Sequence, residues 1–346
     1  MGRKVRVGII RKLFDNDGKF FIPGPGLRLI DDMPNVEWEM IPEFLPQVTA
    51  DQIRGFDIVI NLLSKVTRES LMGNSQLISV HCNSVGFDYV DVRALTDAGV
   101  ILCNTPKAIR RPMATSIIAF ILNLSLRLLD KQKLVREGRW DYRLSIGVGL
   151  VGKTLGSIGV GGIGHEMFRL AKPFGMKHIA TTRTMNQEAV SDVDVQLVEL
   201  ETLLIESDFL NISCPLNKET YHLIGEKELR KMKKTAFLIN IARGPVVNES
   251  ALVKALQQGW IQGAAIDVFE QEPTPVDNPL LSMDNVIVTP HCVGSTDEAW
   301  MNKWQENVSQ ILKIIRGELP EGFVNREVWD KPEFQGKLKR LQEATR

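Results

Sequence analysis

Gly159-Val160-Gly161-Gly162-Ile163-Gly164 is a G-x-G-x-x-G run, and its flanks decide how it is read. Before it, Thr154-Leu155-Gly156-Ser157-Ile158 has the apolar and small residues of a short buried strand. After it, the stretch from His165 to Phe174 sets Met167, Leu170, Ala171 and Phe174 on one helical face. Strand, glycine turn and helix in that order are the setting in which this motif cradles a dinucleotide. The first glycine makes the tight turn, the second lets the backbone approach a pyrophosphate, and the third lets helix pack on strand. The helix N-terminus adds free N–H groups and a positive dipole end. Gly159, Gly161, Gly162, Ile163 and Gly164 are therefore candidate cofactor-binding residues. The competing reading is an ordinary strand-to-helix turn, and the rest of the chain must decide between the two.

Outward from this run, short apolar segments alternate with helical patterns in two series. The first runs through Val5 to Ile10, Phe56 to Asn61, Leu77 to Val80 and Val100 to Leu102. The second starts at Thr154 and continues through His178 to Ala180, Phe209 to Ile212, Ala236 to Ile239, Gly263 to Ile266 and Val286 to Val288. Such alternation reads as parallel α/β structure, and two series read as two α/β units. Between them, Met113 to Arg136 reads as one long apolar-periodic helix with an excess apolar face suited to a dimer. A helix from Glu298 to Ile315 follows the last strand and is expected to return the chain to the first unit. The expected division is residues 1–108 with 297–346, around 109–296.

The chain of 346 residues is 44% hydrophobic and 24% charged, with a formal net charge of zero. That is long enough for two cores. Charge balance argues against nucleic acid as a partner. The densest basic stretch, Arg230-Lys231-Met232-Lys233-Lys234, follows a helical segment and suits its C-terminal dipole. No apolar stretch reaches the roughly 20 residues of a membrane span, and Met1 to Lys4 leads directly into a strand pattern with no room for a signal peptide. A cytoplasmic location and no membrane partner are expected. Cys82, Cys103, Cys214 and Cys292 lack C-x-x-C spacing, so neither a disulfide framework nor a metal site is indicated.

Three stretches past the later strands supply chemistry. Asn240-Ile241-Ala242-Arg243-Gly244-Pro245 sets an arginine past one strand. Asp267-Val268-Phe269-Glu270-Gln271-Glu272-Pro273 sets acids past the next, and Thr289-Pro290-His291 sets a histidine past the last. In an open parallel sheet the carboxyl ends of the strands edge the ligand crevice, so these stretches converge on one side.

In these stretches the chain resembles the D-isomer-specific 2-hydroxyacid dehydrogenases, a family that includes glyoxylate and hydroxypyruvate reductases. The resemblance runs from about Val59 to Val328. It covers Ser84-Val85-Gly86-Phe87-Asp88, Asn104-Thr105-Pro106, the glycine run, the arginine, acid and histidine stretches in family order, and Val324-Asn325. It implies two Rossmann-like domains with parallel sheets, a cofactor domain inserted within a discontinuous substrate domain, and a homodimer. It implies reduction of a 2-keto acid to a D-2-hydroxy acid. His291 is then the general acid, Glu272 its paired carboxylate, and Arg243 the grip on the substrate carboxylate. An opposite charge beside a histidine favours the imidazolium and fixes the ring tautomer. Val85 and Gly86 match the family's carboxylate loop, Cys214 and Pro215 lie on the cofactor side, and Asp267 is a cofactor-side and structural acid. Taken singly, Arg243 reads equally as a surface cation, Glu272 as a turn acid and His291 as a strand-end histidine.

The chain departs from the family pattern at several points. An NAD site usually carries an acid about 20 residues past the glycines, where it binds the ribose hydroxyls. Here the corresponding strand ends in Ala180-Thr181-Thr182-Arg183 with no acid. A carboxylate would repel a 2'-phosphate, whereas Thr182 and Arg183 would donate to it, so NADP is the expected cofactor and NAD the alternative. Arg110 and Arg111 open the long helix, where they either attract an acidic group or cap a surface. Trp300 and Trp304 suit core packing better than a bulky substrate, and Ser213 stands where many members have histidine. His81, His178 and His222 lack acid or metal-ligand partners at useful sequence spacing and read as structural, while His165, at the start of the fingerprint helix, reads as solvent-exposed, with contact to a phosphate as the alternative. Two other functions remain open: a dehydrogenase of another small acid such as phosphite, and a nicotinamide-sensing co-repressor. Fold alone does not separate them.

Overall fold

The structure, a computed structural model, describes residues 3–22 and 24–345. It divides into two compact units, one formed by Met1–Ile109 with Thr296–Arg346 and the other by Arg110–Ser295.

The first part of unit 1 runs β1 (Val5–Ile10), α1 (Arg28–Asp31), β2 (Val36–Ile41), β3 (Ile58–Asn61), β4 (Ser79–Cys82), α2 (Val92–Asp97) and β5 (Ile101–Cys103). Its strands pair in parallel in the order β2-β1-β3-β4-β5. β3, β4 and β5 are buried at every position, as strands covered on both faces must be. β2 was not expected from the sequence. Its Val-Glu-Trp-Glu-Met-Ile pattern alternates because it is an edge strand with a wet face.

Unit 2 begins with α3 (Arg110–Leu126) and α4 (Leu128–Arg136), then β6 (Thr154–Ile158), α5 (Gly162–Ala171), β7 (Lys177–Thr181), β8 (Gln196–Leu197), α6 (Leu200–Glu206) and β9 (Phe209–Ile212). It continues through α7 (Glu226–Leu229), β10 (Phe237–Asn240), α8 (Glu249–Gln257), β11 (Gly263–Ile266) and β12 (Val286–Val288). The single helix expected from Met113 to Arg136 is broken. Arg127 adopts a left-handed conformation with φ of 51°, and the two pieces bend by 57°. Among the described residues no single helix is long and apolar enough to cross a membrane.

The sheet of unit 2 is parallel throughout, in the order β12-β11-β10-β9-β6-β7-β8. From β6 the chain steps outward through β7 and β8, then crosses back to lay β9 on the other side of β6. That reversal is the topological switch point at which doubly wound sheets bind ligands.

Unit 1 is completed by α9 (Asp297–Arg316) and α10 (Pro332–Thr345). α9 starts with the Thr296 hydroxyl accepting from the Ala299 N–H and ends at Gly317 in the left-handed conformation. Between the two helices the chain returns to β5. The Val324 N–H donates to Leu102 O, and Asn325 accepts from the Leu102 N–H and donates to Val100 O, at 2.8 to 2.9 Å.

Candidate functional site

The glycine run follows β6 at the switch point. Gly159 has φ of 92°, which favours glycine, and a Cβ there would lie 3.0 Å from the carbonyl oxygen of Ser213 past β9. Its N–H donates to Thr181 O at 2.8 Å, joining the ends of β6 and β7. Gly161 caps α5 in extended conformation, with open space where a Cβ would point, as a backbone approached by a ligand requires. A Cβ on Gly164 would meet Gly159 O at 2.9 Å, so this glycine lets the helix close on the turn. The cradle thus fits a dinucleotide pyrophosphate: φ, open approach and tight packing each fall on the glycine whose role requires it. Ile163 lies in the first turn of α5. Beside Gly162 the space is taken by the Arg110 guanidinium, and Arg111 donates to Glu166 at 2.6 Å. Arg169 and Arg111 together hold the Glu166 carboxyl down at about 2.

Past β7, the Thr182 hydroxyl accepts from the Met185 N–H at 3.2 Å and Arg183 is exposed in the following turn. Past β9, Asn211 donates to the Ser213 hydroxyl at 2.7 Å, so the serine is absorbed into strand-end hydrogen bonding. Burial pushes the Cys214 thiol up to about 11, and Pro215 O accepts from the Thr220 hydroxyl.

The arginine, acid and histidine loops leave three adjacent strands, β10, β11 and β12. Asn240, buried at the end of β10, accepts from the Ala242 N–H at 3.1 Å and donates to Arg243 O at 3.0 Å, which fixes the backbone of the arginine loop. Asp267, buried at the end of β11, does the same for the histidine loop. Its Oδ1 accepts from the Thr289 hydroxyl at 2.6 Å and from the N–H groups of Cys292 and Val293 at 2.9 and 3.1 Å. Burial raises its pKa, and these donors oppose the shift. His291 has φ of 51°, and its N–H reaches Asp267 O at 2.8 Å.

Glu272 Oε2 lies 2.7 Å from His291 Nδ1, and Glu272 Oε1 accepts from the Phe269 N–H at 3.0 Å. Burial pushes the Glu272 carboxyl up, but the bonds from His291 and Phe269, with the field of Arg243, outweigh it and leave the pKa below its ordinary value. The pair engages Nδ1 and leaves Nε2 as the imidazole nitrogen available to a reacting group.

Sequence spacing missed Asn240, Thr289 and His222. The first two stand at strand ends beside residues already singled out. His222 was read as lacking an acid partner, yet its Nε2 lies 2.7 Å from Glu270 Oε1, across 48 residues of sequence.

The other candidates divide by environment. His81 is fully buried, and desolvation drives its pKa to about 3. His178 packs on Phe168, and His165 pairs with Asp192 at 3.0 Å. Trp304 is buried, and its indole N–H donates to Gly26 O at 2.6 Å, a core role. Trp300 packs edge-on to Phe21, with Lys303 Nζ 3.4 Å from its ring centroid. Desolvation lowers the Lys303 pKa to about 8. The basic stretch is spent on ion pairs: Arg230 with Glu226, Lys231 with Glu201 and Lys233 with Asp208. In unit 1, Asn104 donates to Val85 O at 2.7 Å and the Ser84 hydroxyl to Gly86 O at 2.8 Å, fixing that loop by its carbonyls.

Comparison with known proteins agrees with this geometry. Residues 118–293 match the family model for the D-isomer specific 2-hydroxyacid dehydrogenase NAD binding domain. The chain is 37% identical to a glyoxylate reductase of Thermococcus litoralis over 316 residues, covering 89% of this chain and 95% of that one. It is 35% identical to a glyoxylate reductase of Aeropyrum pernix, covering 94% and 97%. Among solved structures, D-lactate dehydrogenase from Aquifex aeolicus, complexed with NAD and lactic acid, superposes with a TM-score of 0.80 at 27% identity, covering 92% of this chain and 99% of that one. The chain belongs to the D-isomer-specific 2-hydroxyacid dehydrogenase family.

Proposed function

We propose that the protein is an NADPH-dependent reductase of a small 2-keto acid, of the glyoxylate or hydroxypyruvate type, yielding the D-2-hydroxy acid. The observation that carries this reading is the His291–Glu272 pair at 2.7 Å, set past β12 and β11 beside the loop of Arg243. The glyoxylate reductases among its relatives support the substrate class.

The nicotinamide, when bound, supplies the hydride. The remaining demands of the reaction fall on side chains. Carbonyl reduction at C2 requires a proton on the oxygen, and His291 delivers it from Nε2 while Glu272 holds Nδ1 and balances the imidazolium charge. Arg243 binds the substrate carboxylate through its planar guanidinium fork. In unit 1, the N–H groups of Val85 and Gly86 are candidate donors to a carboxylate. Gly159, Gly161, Gly162, Ile163 and Gly164 would hold the pyrophosphate, Thr182 and Arg183 the 2'-phosphate, and Cys214, Pro215 and Asp267 other parts of the cofactor. The absence of an acid after β7 favours NADP over NAD.

A homodimer is part of the proposal. Large apolar side chains on the surface crowd into one stretch of unit 2, where Leu128, Leu129, Val135, Trp140, Ile146 and Val151 are all exposed, Trp140 by 91%. Apolar side chains exposed together mark interaction surfaces, and these support a dimer contact on unit 2.

The test follows NADPH and NADH oxidation with glyoxylate, hydroxypyruvate, pyruvate and phenylpyruvate, in wild type and His291→Ala. Turnover that prefers NADPH and is lost in the variant supports the proposal. No turnover with any keto acid overturns it, and turnover with NADH alone overturns the cofactor assignment.

A further inference from the structure

The loops carrying Arg243 and Glu272 are joined by a residue that belongs to neither. His222 lies after β9, in left-handed conformation with φ of 50°. Its backbone N–H donates to Pro245 O in the arginine loop at 2.8 Å. Its Nε2 lies 2.7 Å from Glu270 Oε1, two residues before Glu272. Its Nδ1 lies 3.2 Å from Asn248 Nδ2 at the start of α8.

Asn248 fixes which proton the ring carries. Its Oδ1 accepts from the Ala251 N–H and the Ser250 hydroxyl as the helix cap, so its amide NH2 faces His222. Nδ1 must accept, and Nε2 therefore bears the hydrogen and donates to the Glu270 carboxylate. Glu270 is held further. Its Oε1 accepts from the Glu249 N–H at 3.0 Å, its own N–H donates to Glu249 Oε2 at 2.9 Å, and Glu249 Oε1 accepts from Asn278 at 2.7 Å. The Glu270 segment is thereby pinned from outside, while Phe269 N–H pins the Glu272 carboxylate from within.

We infer that His222 is a positioning residue that, through Glu270, sets Glu272 against His291 and keeps the arginine loop in register with the acid loop. The inference rests on the reductase reading for its kinetic consequence, though its geometric content does not. Arg243 acts on Glu272 and His291 on Asp267, while the hydrogen bonds of His222 run to Pro245, Glu270 and Asn248 rather than to Asp267 or Glu272. Its effect must pass through the backbone from residue 270 to 272. A displacement on the order of 1 Å at a reacting group costs up to about a hundredfold in rate.

The experiment compares wild type with His222→Ala, His222→Gln and Glu270→Gln. In the alanine variant kcat/KM for the best keto acid is expected to fall about tenfold to a hundredfold, with the dissociation constant for NADPH unchanged. The glutamine variant retains an amide N–H at the place of Nε2 and is expected to recover most of the loss. Histidine side-chain NMR on the same proteins is expected to show the His291 titration displaced in the alanine variant and restored by glutamine. Unchanged kcat/KM together with an unchanged His291 titration overturns the inference, as does a loss confined to NADPH affinity. Where His222→Ala gives no cooperative melt, Glu270→Gln carries the test: a fall in kcat/KM at constant NADPH affinity supports the inference, and no change overturns it. Should wild type turn over no keto acid, the reductase reading fails and the His291 titration alone decides the role of His222.

Discussion

Gly244 packs against Phe269 with no space for a side chain: a Cβ on Gly244 would lie 1.9 Å from both the carbonyl carbon and the carbonyl oxygen of Phe269. The obstacle is backbone, which cannot swing aside as a side chain can. Gly244→Ala should therefore push apart the loops bearing Arg243 and Glu272. Overpacking of this kind costs about 1–3 kcal/mol or more. We expect a lowered melting temperature and a fall in keto-acid kcat/KM on the order of a hundredfold. Thermal melts and steady-state kinetics check both, and a variant with wild-type kinetics would refute the coupling of the two loops.

Glu272→Gln keeps the shape of the side chain and removes its charge. Keto-acid reduction should fall about a hundredfold or more, within the range that general acid catalysis contributes. Stability should respond to pH as well. The Glu272 carboxyl is held below its ordinary value of 4.5, so its contribution is complete above that value and is lost as pH falls through the lower, folded value. Denaturation at a series of pH values should show the gap between wild type and variant closing in acid. A gap that widens in acid would contradict the assigned direction.

Arg183→Ala tests the proposed phosphate contact. A charge-assisted hydrogen bond contributes about 1.5–3 kcal/mol, which corresponds to roughly ten- to a hundredfold in affinity. KM for NADPH should rise by that factor, with the NADH value within about twofold of wild type. An equal change for both cofactors would assign Arg183 to the adenine or to the fold instead.

Glu166 on α5 pairs with Arg111 of α3 at 2.6 Å and with Arg169 one turn along its own helix at 2.7 Å. Its carboxyl is held at about 2, chiefly by Arg169 and then by Arg111 against the cost of burial, so the stabilisation is present above the unfolded value near 4.5 and is lost as pH falls towards 2. Discounted for solvent screening, Glu166→Gln should cost about 1 kcal/mol at neutral pH and low salt, and less in high salt. Denaturant titration at two ionic strengths reads the difference, and salt independence would count against an ionic origin.

Burial determined what the sequence could reveal. β9 and β11 match the expected segments because parallel strands buried on both faces are mostly apolar, and β12, half-buried at the sheet edge, matches through its three apolar residues. β2 alternates and β8 has two residues, so neither stands out from loop sequence. The break at Arg127 was hidden because Leu128 and Leu129 continue the apolar pattern through it, although both are exposed in the chain as folded. α10 was missed for its polar composition. The strand-end chemistry at Arg243, Glu272 and His291 was legible because parallel topology carries strand ends to one edge whatever the loops do. His222 was not, because its pairing with Glu270 is a product of tertiary structure with no local signature.

The return of the chain to β5 bears on how the molecule is made. Leu102 and Asn325, whose hydrogen bond closes that strand, are separated by 223 residues. Unit 2 lies wholly within this interval and is contiguous, so it can fold while the nascent chain is still being extended. During that time β5, with Ile101, Leu102 and Cys103 all destined for burial, presents an unpaired apolar edge of the kind that recruits other strands. That edge is covered only once the residues from Gly322 to Asn325 have been made and hydrogen-bond to Leu102 and Asn104. A polypeptide released before residue 322 would hold a finished second unit on an adhesive first one.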